Sequence, residues 1–212
     1  MARGFIRSGG RAMGMRPVRL FRMPGRMATP SQRVRPAGAP GAHVHRGRPI
    51  RSGRFHRVLW PSAVPILAVP ELADYLSVVL EEFAQASGST SDEPLKIGLR
   101  PGTMGLHRSG RAVDIYEVGG KGIGQWAQEW NAAMRTAAAA KDPQERTRII
   151  DEEKARNTGY KLYKALQARG GWAQPPGYPV QLFGPWTRGE GPHKQISDRM
   201  LRAHRDHIHV AK

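Results

Sequence analysis

The side chains best suited to chemistry lie in two short segments of the chain. One segment begins with His107 and ends with Asp114, and the other contains Asp206, His207 and His209. Together they supply three imidazoles and two carboxylates, which are the ligand types of a hydrolytic zinc site. The sequence contains no cysteine, which excludes disulfides, thiolate nucleophiles and cysteine-ligated zinc.

The spacing within each segment allows its side chains to converge on one ion. A tight turn at Gly110 would let His107 and Asp114 reach the same ion, and glycine is the residue type that such a turn favours. In a strand at the end of the chain, His207 and His209 share a face because side chains alternate with a period of two. Either of these two imidazoles could therefore be a ligand.

The elements that must position these segments follow from hydrophobic periodicity and turn residues. Helices are predicted over 70–87, over 122–140, from 142 to about 169 with a break near 157–159, and over roughly 194–204. Strands are predicted at 95–100, 112–116, 178–183 and 207–210. This order predicts an α+β domain over residues 58–212, with a small, mainly antiparallel sheet and flanking helices. In the loop 184–193, Trp186 is expected either to anchor the loop to the core or to form a wall of a substrate groove.

Most of the positive charge lies in the N-terminal part of the chain. The formal net charge is +17, and residues 1–60 contain fourteen arginines, no lysine and no acidic residue. The other 152 residues contain twenty basic and seventeen acidic side chains, so this part is nearly neutral. Residues 1–57 are rich in Arg, Gly and Pro and are predicted to form a disordered basic tail, because they cannot bury enough apolar surface to offset the entropy of ordering.

Three interpretations of this tail remain open. It is a solvated tail, an arm that binds an anionic polymer (nucleic acid, teichoic acid or lipid), or a targeting segment read by an export apparatus. No transmembrane segment is predicted, because the longest apolar run, 58–69, is shorter than the ~20 residues that a spanning helix needs. No Sec-type signal with an apolar region is expected either. If the protein acts outside the cytoplasm, in the periplasm or cell wall, it would therefore have to be released from the cell or exported by a route other than Sec.

The two motifs resemble those of a clan of zinc peptidases that includes D-alanyl-D-alanine carboxypeptidases, penicillin-insensitive murein endopeptidases and Hedgehog-type domains. The resemblance covers roughly residues 70–210 in layout and is anchored by segments 107–114 and 206–209. It implies a Hedgehog/DD-peptidase-like fold and one Zn²⁺ per chain. It also implies hydrolysis of amide bonds in the stem or cross-link peptides of peptidoglycan.

The resemblance assigns a role to each candidate residue by its position in the motifs. The residues in the positions of the zinc ligands are His107, Asp114 and His209. Asp206 takes the place of the acidic general base, and His207 that of a second imidazole beside the water or the transition state. Either of the two could carry the proton. Arg100, at the end of a predicted strand, is the candidate contact to the substrate, and it or His207 could stabilise an oxyanion.

Two other functions remain open. The domain could be a non-catalytic, zinc-stabilised binding module, as occurs among Hedgehog-type relatives, with the basic tail binding anionic polymers. Loss of the general base would favour this interpretation, and the presence of Asp206 argues against it. The third hypothesis, a nucleic-acid-binding protein, depends on the charge of the tail alone.

Overall fold

A computed structural model of the chain describes residues 47–62, 65–102, 105–169, 181–187 and 197–212. The helices in these ranges are α1 (Pro70–Ala86), α2 (Ile123–Ala139), α3 (Pro143–Arg156), α4 (Thr158–Arg169) and α5 (Asp198–Ala203). The strands are β1 (Arg48–Pro49), β2 (His56–Leu59), β3 (Leu67–Ala68), β4 (Leu95–Arg100), β5 (Ala112–Val118), β6 (Lys121–Gly122), β7 (Gln181–Phe183) and β8 (Ile208–Ala211). A 3₁₀ helix covers Gly105–Ser109.

The described strands form one main sheet and one small sheet. In the main sheet the order is β2-β4-β5-β8-β7, with β6 pairing on β5, and β1 and β3 form a separate antiparallel pair. The pairing of β2 with β4 is parallel, and the other pairs of the main sheet are antiparallel. The α+β class predicted from the sequence is confirmed, and the sheet is mixed.

The folded domain begins earlier than the sequence analysis predicted. The prediction of disorder for residues 1–46 lies outside the described residues. Residues 47–57 belong to the domain, because Ile50 and His56 are only 1% exposed and β2 pairs with β4. The boundary placed at residue 58 is therefore corrected, because the described part of the domain includes residues 47–57. Composition was misleading because the arginines of this stretch are exposed, whereas Ile50 and His56 are buried.

Helix α1 shows why the local sequence predicted its element correctly. Pro70 occupies the first turn, where the missing N–H has no partner to lose. The apolar residues recur at helical spacing and face the core, and they are Leu72, Leu76, Val79, Leu80 and Phe83. This burial of one stripe supplies most of the helix's stability.

The predicted break near 157–159 is confirmed and is made by Asn157, which separates α3 from α4. Its side-chain nitrogen donates to the carbonyl of Trp126 at 2.9 Å and to Glu153 Oε1 at 2.7 Å. Its side-chain oxygen accepts from the backbone N–H of Tyr160 at 2.9 Å. The fully buried Asn157 side chain therefore caps α4 and links it to α2. These hydrogen bonds stabilise the break between α3 and α4.

Alternation along β5 and β8 separates the core from the opposite face of the sheet. Val113, Ile115, Ile208 and Val210 are all 0% exposed and belong to the hydrophobic core that the sheet shares with α1, α2 and α4. Because side chains alternate along a strand, the residues between these core positions point the other way. The second face of β5 and β8 is therefore where the polar side chains of the two motifs lie.

The C-terminal elements match their predictions within the described ranges. The predicted strand 178–183 appears as β7, with 178–180 outside the described residues. The predicted helix 194–204 appears as the shorter α5, with 194–196 outside the described residues, and its N-cap Ser197 accepts a hydrogen bond from the N–H of Met200 at 3.3 Å. None of the described helices has the length and hydrophobicity of a membrane-spanning segment.

Candidate metal centre

Two of the predicted ligands are paired by the backbone of the sheet. Asp114 and His209 are register partners across β5 and β8, and both are 7% exposed. His209 Nδ1 lies 3.0 Å from Asp114 Oδ1. Their contact follows from strand register, because directly opposed residues of antiparallel strands have neighbouring Cβ atoms.

The third predicted ligand, His107, comes from the 3₁₀ helix that precedes β5. Gly110 ends this helix with a φ of +68°, a conformation that glycine adopts without the steric cost of a Cβ. The backbone carbonyl of Gly110 also accepts a hydrogen bond from Val69 at 2.8 Å. The turn brings His107 Nε2 to 3.5 Å from Asp114 Oδ1, as the spacing of the first motif predicted.

The ligand atoms of His107, Asp114 and His209 lie within 4.8 Å of one another and can hold a metal ion. Two ligands at ~2.0–2.1 Å from a tetrahedral ion are separated by about 3.3 Å. The separations of 3.0 Å and 3.5 Å from Asp114 Oδ1 to the two imidazoles are close to this value. Two nitrogens and one carboxylate oxygen also form a donor set that suits zinc and other divalent transition metals.

The protonation states of this cluster suit a cation. Burial acts to raise the pKa of Asp114, but the hydrogen bond from His209 and the neighbouring imidazoles outweigh it and lower the pKa below its ordinary value. Burial lowers the pKa of His107, with the Asp114 charge acting in the opposite direction. At neutral pH the cluster therefore contains an ionised carboxylate and a neutral His107 imidazole, which are the forms that bind metals.

The second ring nitrogen of His107 is held by the backbone. Its Nδ1 lies 3.1 Å from the carbonyl oxygen of Ala112 and 3.1 Å from the N–H of Gly102. When Nδ1–H donates to Ala112, the lone pair of Nε2 faces Asp114. A backbone acceptor on the second nitrogen is the usual arrangement for a metal-binding imidazole.

His207 and Asp206 lie immediately before β8 and next to the three-residue cluster. His207 is 8% exposed, and its Nε2 lies 3.7 Å from Asp114 Oδ1. Its Nδ1 lies 2.8 Å from Asp206 Oδ1. Because β8 begins at Ile208, the alternation expected for an ideal strand does not determine where the Asp206 side chain points.

Arg100 reaches the site, as the sequence analysis expected. It is the last residue of β4 and the register partner of Asp114. Its Nη2 lies 3.2 Å from His207 Nδ1, and its Nε lies 3.9 Å from Asp114 Oδ2. Nη2 is also 4.0 Å from Asp206 Oδ1. A half-exposed guanidinium thus lies beside the candidate metal position and the two candidate general bases.

His204, which was not predicted to be a metal ligand, lies beside the site. The His204 ring lies 5.0 Å from the His207 ring and 5.3 Å from the His209 ring, measured between centroids, and 5.1 Å from the Phe183 ring. Its Nδ1 contacts the carbonyl of Met200 at 2.8 Å at the end of α5. The sequence offered one signal for this position, which is the predicted helix that ends at residue 204. The last turn of such a helix brings the chain back over the start of the following strand.

Trp186 anchors its loop to the core and does not form an exposed wall of a substrate groove. It is 7% exposed and packs against Tyr160 and Tyr163, with ring centroids at 6.2 Å and 5.9 Å. Thr187 fixes the same turn, since its hydroxyl accepts from the N–H of Gly184 at 2.7 Å. The first of the two interpretations of the loop is thus confirmed for Trp186, and 188–193 lie outside the described residues.

The fold and the site define an α+β domain with a His–Asp–His cluster on the face of the sheet opposite the core. No protein-family model matches the chain, and no similar protein was found among curated proteins or solved structures.

Proposed function

We propose that this chain is a zinc-dependent peptidase that hydrolyses amide bonds in the stem or cross-link peptides of peptidoglycan. The observation that carries the proposal is the convergence of the two motifs on one cluster, with ligand atoms of His107, Asp114 and His209 within 4.8 Å of one another. The resemblance of the motifs to the zinc D-alanyl-D-alanine carboxypeptidase, murein endopeptidase and Hedgehog-type clan supplies the reaction and the expected fold.

Three protein ligands fit a catalytic zinc site better than a structural one. Structural zinc sites have four protein ligands, whereas catalytic sites leave one position for water or substrate. A zinc ion held here would polarise the scissile carbonyl and lower the pKa of a bound water from ~15.7 to about 7. His207, Asp206 and Arg100 all lie beside this position, which is where groups that transfer protons and stabilise charge are needed.

The roles of these three residues follow from their chemistry. Asp206 and His207 are the two candidates for accepting the proton of the attacking water and returning it to the leaving amine. Burial acts to raise the pKa of Asp206, but the hydrogen bond with His207 and the charge of Arg100 outweigh it and keep the pKa below its ordinary value. Arg100 is permanently cationic and would stabilise negative charge on the carbonyl oxygen.

The substrate class is part of the proposal. Peptidoglycan stems contain peptide bonds and free carboxylates, and the Arg100 guanidinium suits either a substrate carboxylate or an oxyanion. The basic segment at the N-terminus would add affinity for the anionic polymers of the wall. Residues 1–46 of that segment lie outside the described residues, so their contribution follows from charge alone.

The test combines metal analysis with digestion. The full-length chain, purified without added metal, is expected to contain one zinc and to shorten purified peptidoglycan stem or cross-link peptides, as detected by mass spectrometry. Release of D-alanine would indicate a carboxypeptidase, and cleavage of cross-linked dimers an endopeptidase. Asp114→Asn should abolish both zinc binding and digestion, whereas the exposed control Asp151→Asn should retain them. Failure to take up zinc at micromolar concentration would contradict the metal centre.

A non-catalytic zinc-stabilised module is the second candidate, and one distance favours it. His207 Nε2 is 3.7 Å from Asp114 Oδ1, so a small shift would make it a fourth protein ligand and close the site. In that case the chain would bind zinc and unfold on chelation but leave peptidoglycan intact. X-ray absorption spectroscopy of the zinc-loaded chain distinguishes the two, because four protein ligands exclude an exchangeable water.

A further inference from the structure

We propose that the open face of β4, the side of the strand away from the hydrophobic core, is a substrate groove that binds an acidic peptide. The groove runs from Arg100 at the metal centre, over the ring of Tyr116, to a pair of cations, Arg57 and Lys96. This pair binds a substrate carboxylate that is remote from the cleaved bond. The inference rests on the proposed peptidase function and adds the part of the site that selects the substrate.

Alternation along β4 defines the open face and its length. Ile97 and Leu99 are 0% exposed and belong to the core, so Lys96, Gly98 and Arg100 point the other way. Arg100 lies at the metal centre, and Lys96 is at the other end of the strand, about 13 Å away at ~3.3 Å per residue. This face of β4 is therefore long enough for about four residues of an extended peptide.

A β-bulge in β5 directs Tyr116 over the middle of this face. The β4 partners of Ile115 and Glu117 are consecutive residues, so Tyr116 between them is the extra residue of β5. A Cβ on Gly98 would lie 2.7 Å from Cζ and 2.9 Å from Cε2 of the Tyr116 ring. The end of this half-buried ring therefore covers Gly98. Bulges often re-aim a side chain next to an active site, and this one places an aromatic surface between Arg100 and the far end of β4.

Arg57 and Lys96 form a pair of cations beyond the ring. They are register partners in the parallel strands β2 and β4, and both are exposed. They share the open face because Val58 and Ile97, the next residues of their strands, are in the core. Among the described residues, neither cation forms an ion pair with an acidic side chain. Like charges directly opposite each other destabilise a sheet, and an anion bound between them would remove this repulsion.

The charges along the groove determine where an acidic ligand would bind. A carboxylate accepts short, charge-assisted hydrogen bonds from both a guanidinium and an ammonium group. One acidic residue, Glu117, also lies on the open face, because Val118 next to it is in the core. Glu117 would repel a ligand carboxylate over the middle of the groove. The substrate carboxylate is therefore placed at Arg57 and Lys96, and a less charged part of the peptide packs on the Tyr116 ring.

The test uses the full-length, zinc-loaded chain and two forms of a purified peptidoglycan stem peptide. One form has free carboxylates, and in the other the carboxyl groups remote from the cleaved bond are carboxamides. Affinity is measured as KM if the chain cleaves the peptide and as the dissociation constant if it does not. The double variant Arg57→Gln with Lys96→Gln should weaken the affinity for the carboxylate form about 10-fold or more. It should leave the affinity for the carboxamide form and the turnover number unchanged.

The matched control is the double variant Arg135→Gln with Lys141→Gln, which removes the same charge from two other exposed positions. It should leave both affinities unchanged. Tyr116→Ala should weaken the affinity for both peptides by a similar factor, because contact with a ring does not depend on the carboxylate. Glu117→Gln should strengthen the affinity for the carboxylate form. One zinc per chain in every variant shows that the metal centre is intact.

The outcomes separate this inference from the proposed function. Cleavage of the carboxylate peptide with an unchanged KM in the Arg57 and Lys96 variant would overturn the groove and leave the peptidase activity intact. An equal loss in the control variant, or for the carboxamide peptide, would also overturn it. Carboxylate-dependent binding without cleavage would overturn the peptidase activity and leave the groove intact. A chain that binds neither peptide would contradict both.

Discussion

Asp114 and His209 are register partners in neighbouring antiparallel strands, and 3.0 Å separates Asp114 Oδ1 from His209 Nδ1. Because the backbone pairing of β5 and β8 fixes this distance, two of the three candidate ligands are preorganised by the sheet itself. Preorganised ligands reduce the entropy lost on binding. The third ligand, His107, depends on the turn that leads into β5.

Replacing Asp114 should remove metal binding while leaving the fold in place. Asp114→Asn keeps the shape of the side chain but removes the negative charge and one ligand oxygen. We expect the zinc dissociation constant to rise by more than the roughly 10–100-fold that loss of an outer-sphere partner typically causes. Competition against a chromophoric chelator measures this, with the exposed Asp151→Asn as the matched control. Equal affinities of the two variants would contradict the assignment of Asp114.

The position of His107 should depend on the absence of a side chain at residue 102. A Cβ on Gly102 would lie 2.4 Å from Cδ2 of the His107 ring, which is far inside van der Waals contact. Gly102→Ala should therefore displace the imidazole and weaken zinc binding by about 10-fold or more, the scale of a disturbed ligand environment.

Gly122→Ala is the control for this substitution, because a Cβ at Gly122 would meet nothing closer than 3.8 Å. It should leave the zinc affinity unchanged. Isothermal titration calorimetry of both variants is the measurement. If Gly102→Ala bound zinc as tightly as the wild type, His107 would not be held as a ligand in this position.

Zinc affinity should fall in acid. Burial lowers the pKa of His107 below its ordinary value of 6.5, so this ligand is already neutral at physiological pH. Protons compete with the metal once the pH falls below the pKa values of the ligands. The apparent affinity is expected to be nearly constant above about pH 7 and to decrease below about pH 6. Competition titrations across this range are the check, and a flat profile down to about pH 5 would exclude imidazole ligands.

Glu81 should make folding stability dependent on pH. It accepts hydrogen bonds from the Arg54 N–H at 2.8 Å, the Phe55 N–H at 3.1 Å and His56 Nδ1 at 2.7 Å. Burial acts to raise its pKa, but these bonds outweigh it and lower the pKa below 4.5. With the folded pKa below the unfolded one, the stabilisation is present above the unfolded pKa and is lost as the pH falls through the folded pKa.

Glu81→Gln should lower the free energy of unfolding at pH 7 by about 1.5–3 kcal/mol, the usual contribution of a hydrogen bond to a charged group. It should also reduce the loss of stability below about pH 4.5. Glu82→Gln is the matched control, since Glu82 is half-exposed and paired with Arg169, a contact of less than about 1 kcal/mol. Urea unfolding at neutral and acid pH compares the two, and equal losses would contradict the stabilising role of the Glu81 hydrogen bonds.

Arg100 should affect catalysis more than metal binding. Its guanidinium lies 3.9 Å from Asp114 Oδ2, too far for a strong hydrogen bond, so Arg100→Gln should retain zinc. If Arg100 stabilises the transition state, the turnover number on peptidoglycan should fall by roughly 10²–10³. Arg148→Gln, on the exposed face of α3, is the control and should retain activity. A parallel loss of zinc and activity in Arg100→Gln would instead make Arg100 a structural support of Asp114.

Much of the fold was accessible from local sequence because each signal has a local cause. The apolar stripe around Leu76 predicted α1, and the polar break at Asn157 predicted the junction of α3 and α4. The β-branched residues around Val113 predicted β5. Periodicity and capping are properties of neighbouring residues, so these elements could be predicted without knowledge of the tertiary structure.

Other features depended on contacts that local sequence does not report. The segment with Ile50 and His56 has a composition typical of a disordered tail, yet its buried residues pack into the domain because β2 pairs with β4. His204 was not predicted to be a metal ligand, and the return of the chain from α5 to β8 brings its ring to His207 and His209. Whether an isolated residue in a polar segment is buried depends on its tertiary contacts, which the neighbouring sequence does not determine.

The sequence by itself determined the chemical inventory of the site: imidazoles, carboxylates and a guanidinium, with Gly110 in the turn that the first motif required. Only the tertiary structure decided the partners. The register of β5 against β8 set Asp114 opposite His209, and the end of β4 brought Arg100 to His207. The residue type at each position can be taken directly from the sequence. The spatial distance between residues that are about a hundred positions apart in the chain depends on strand pairing.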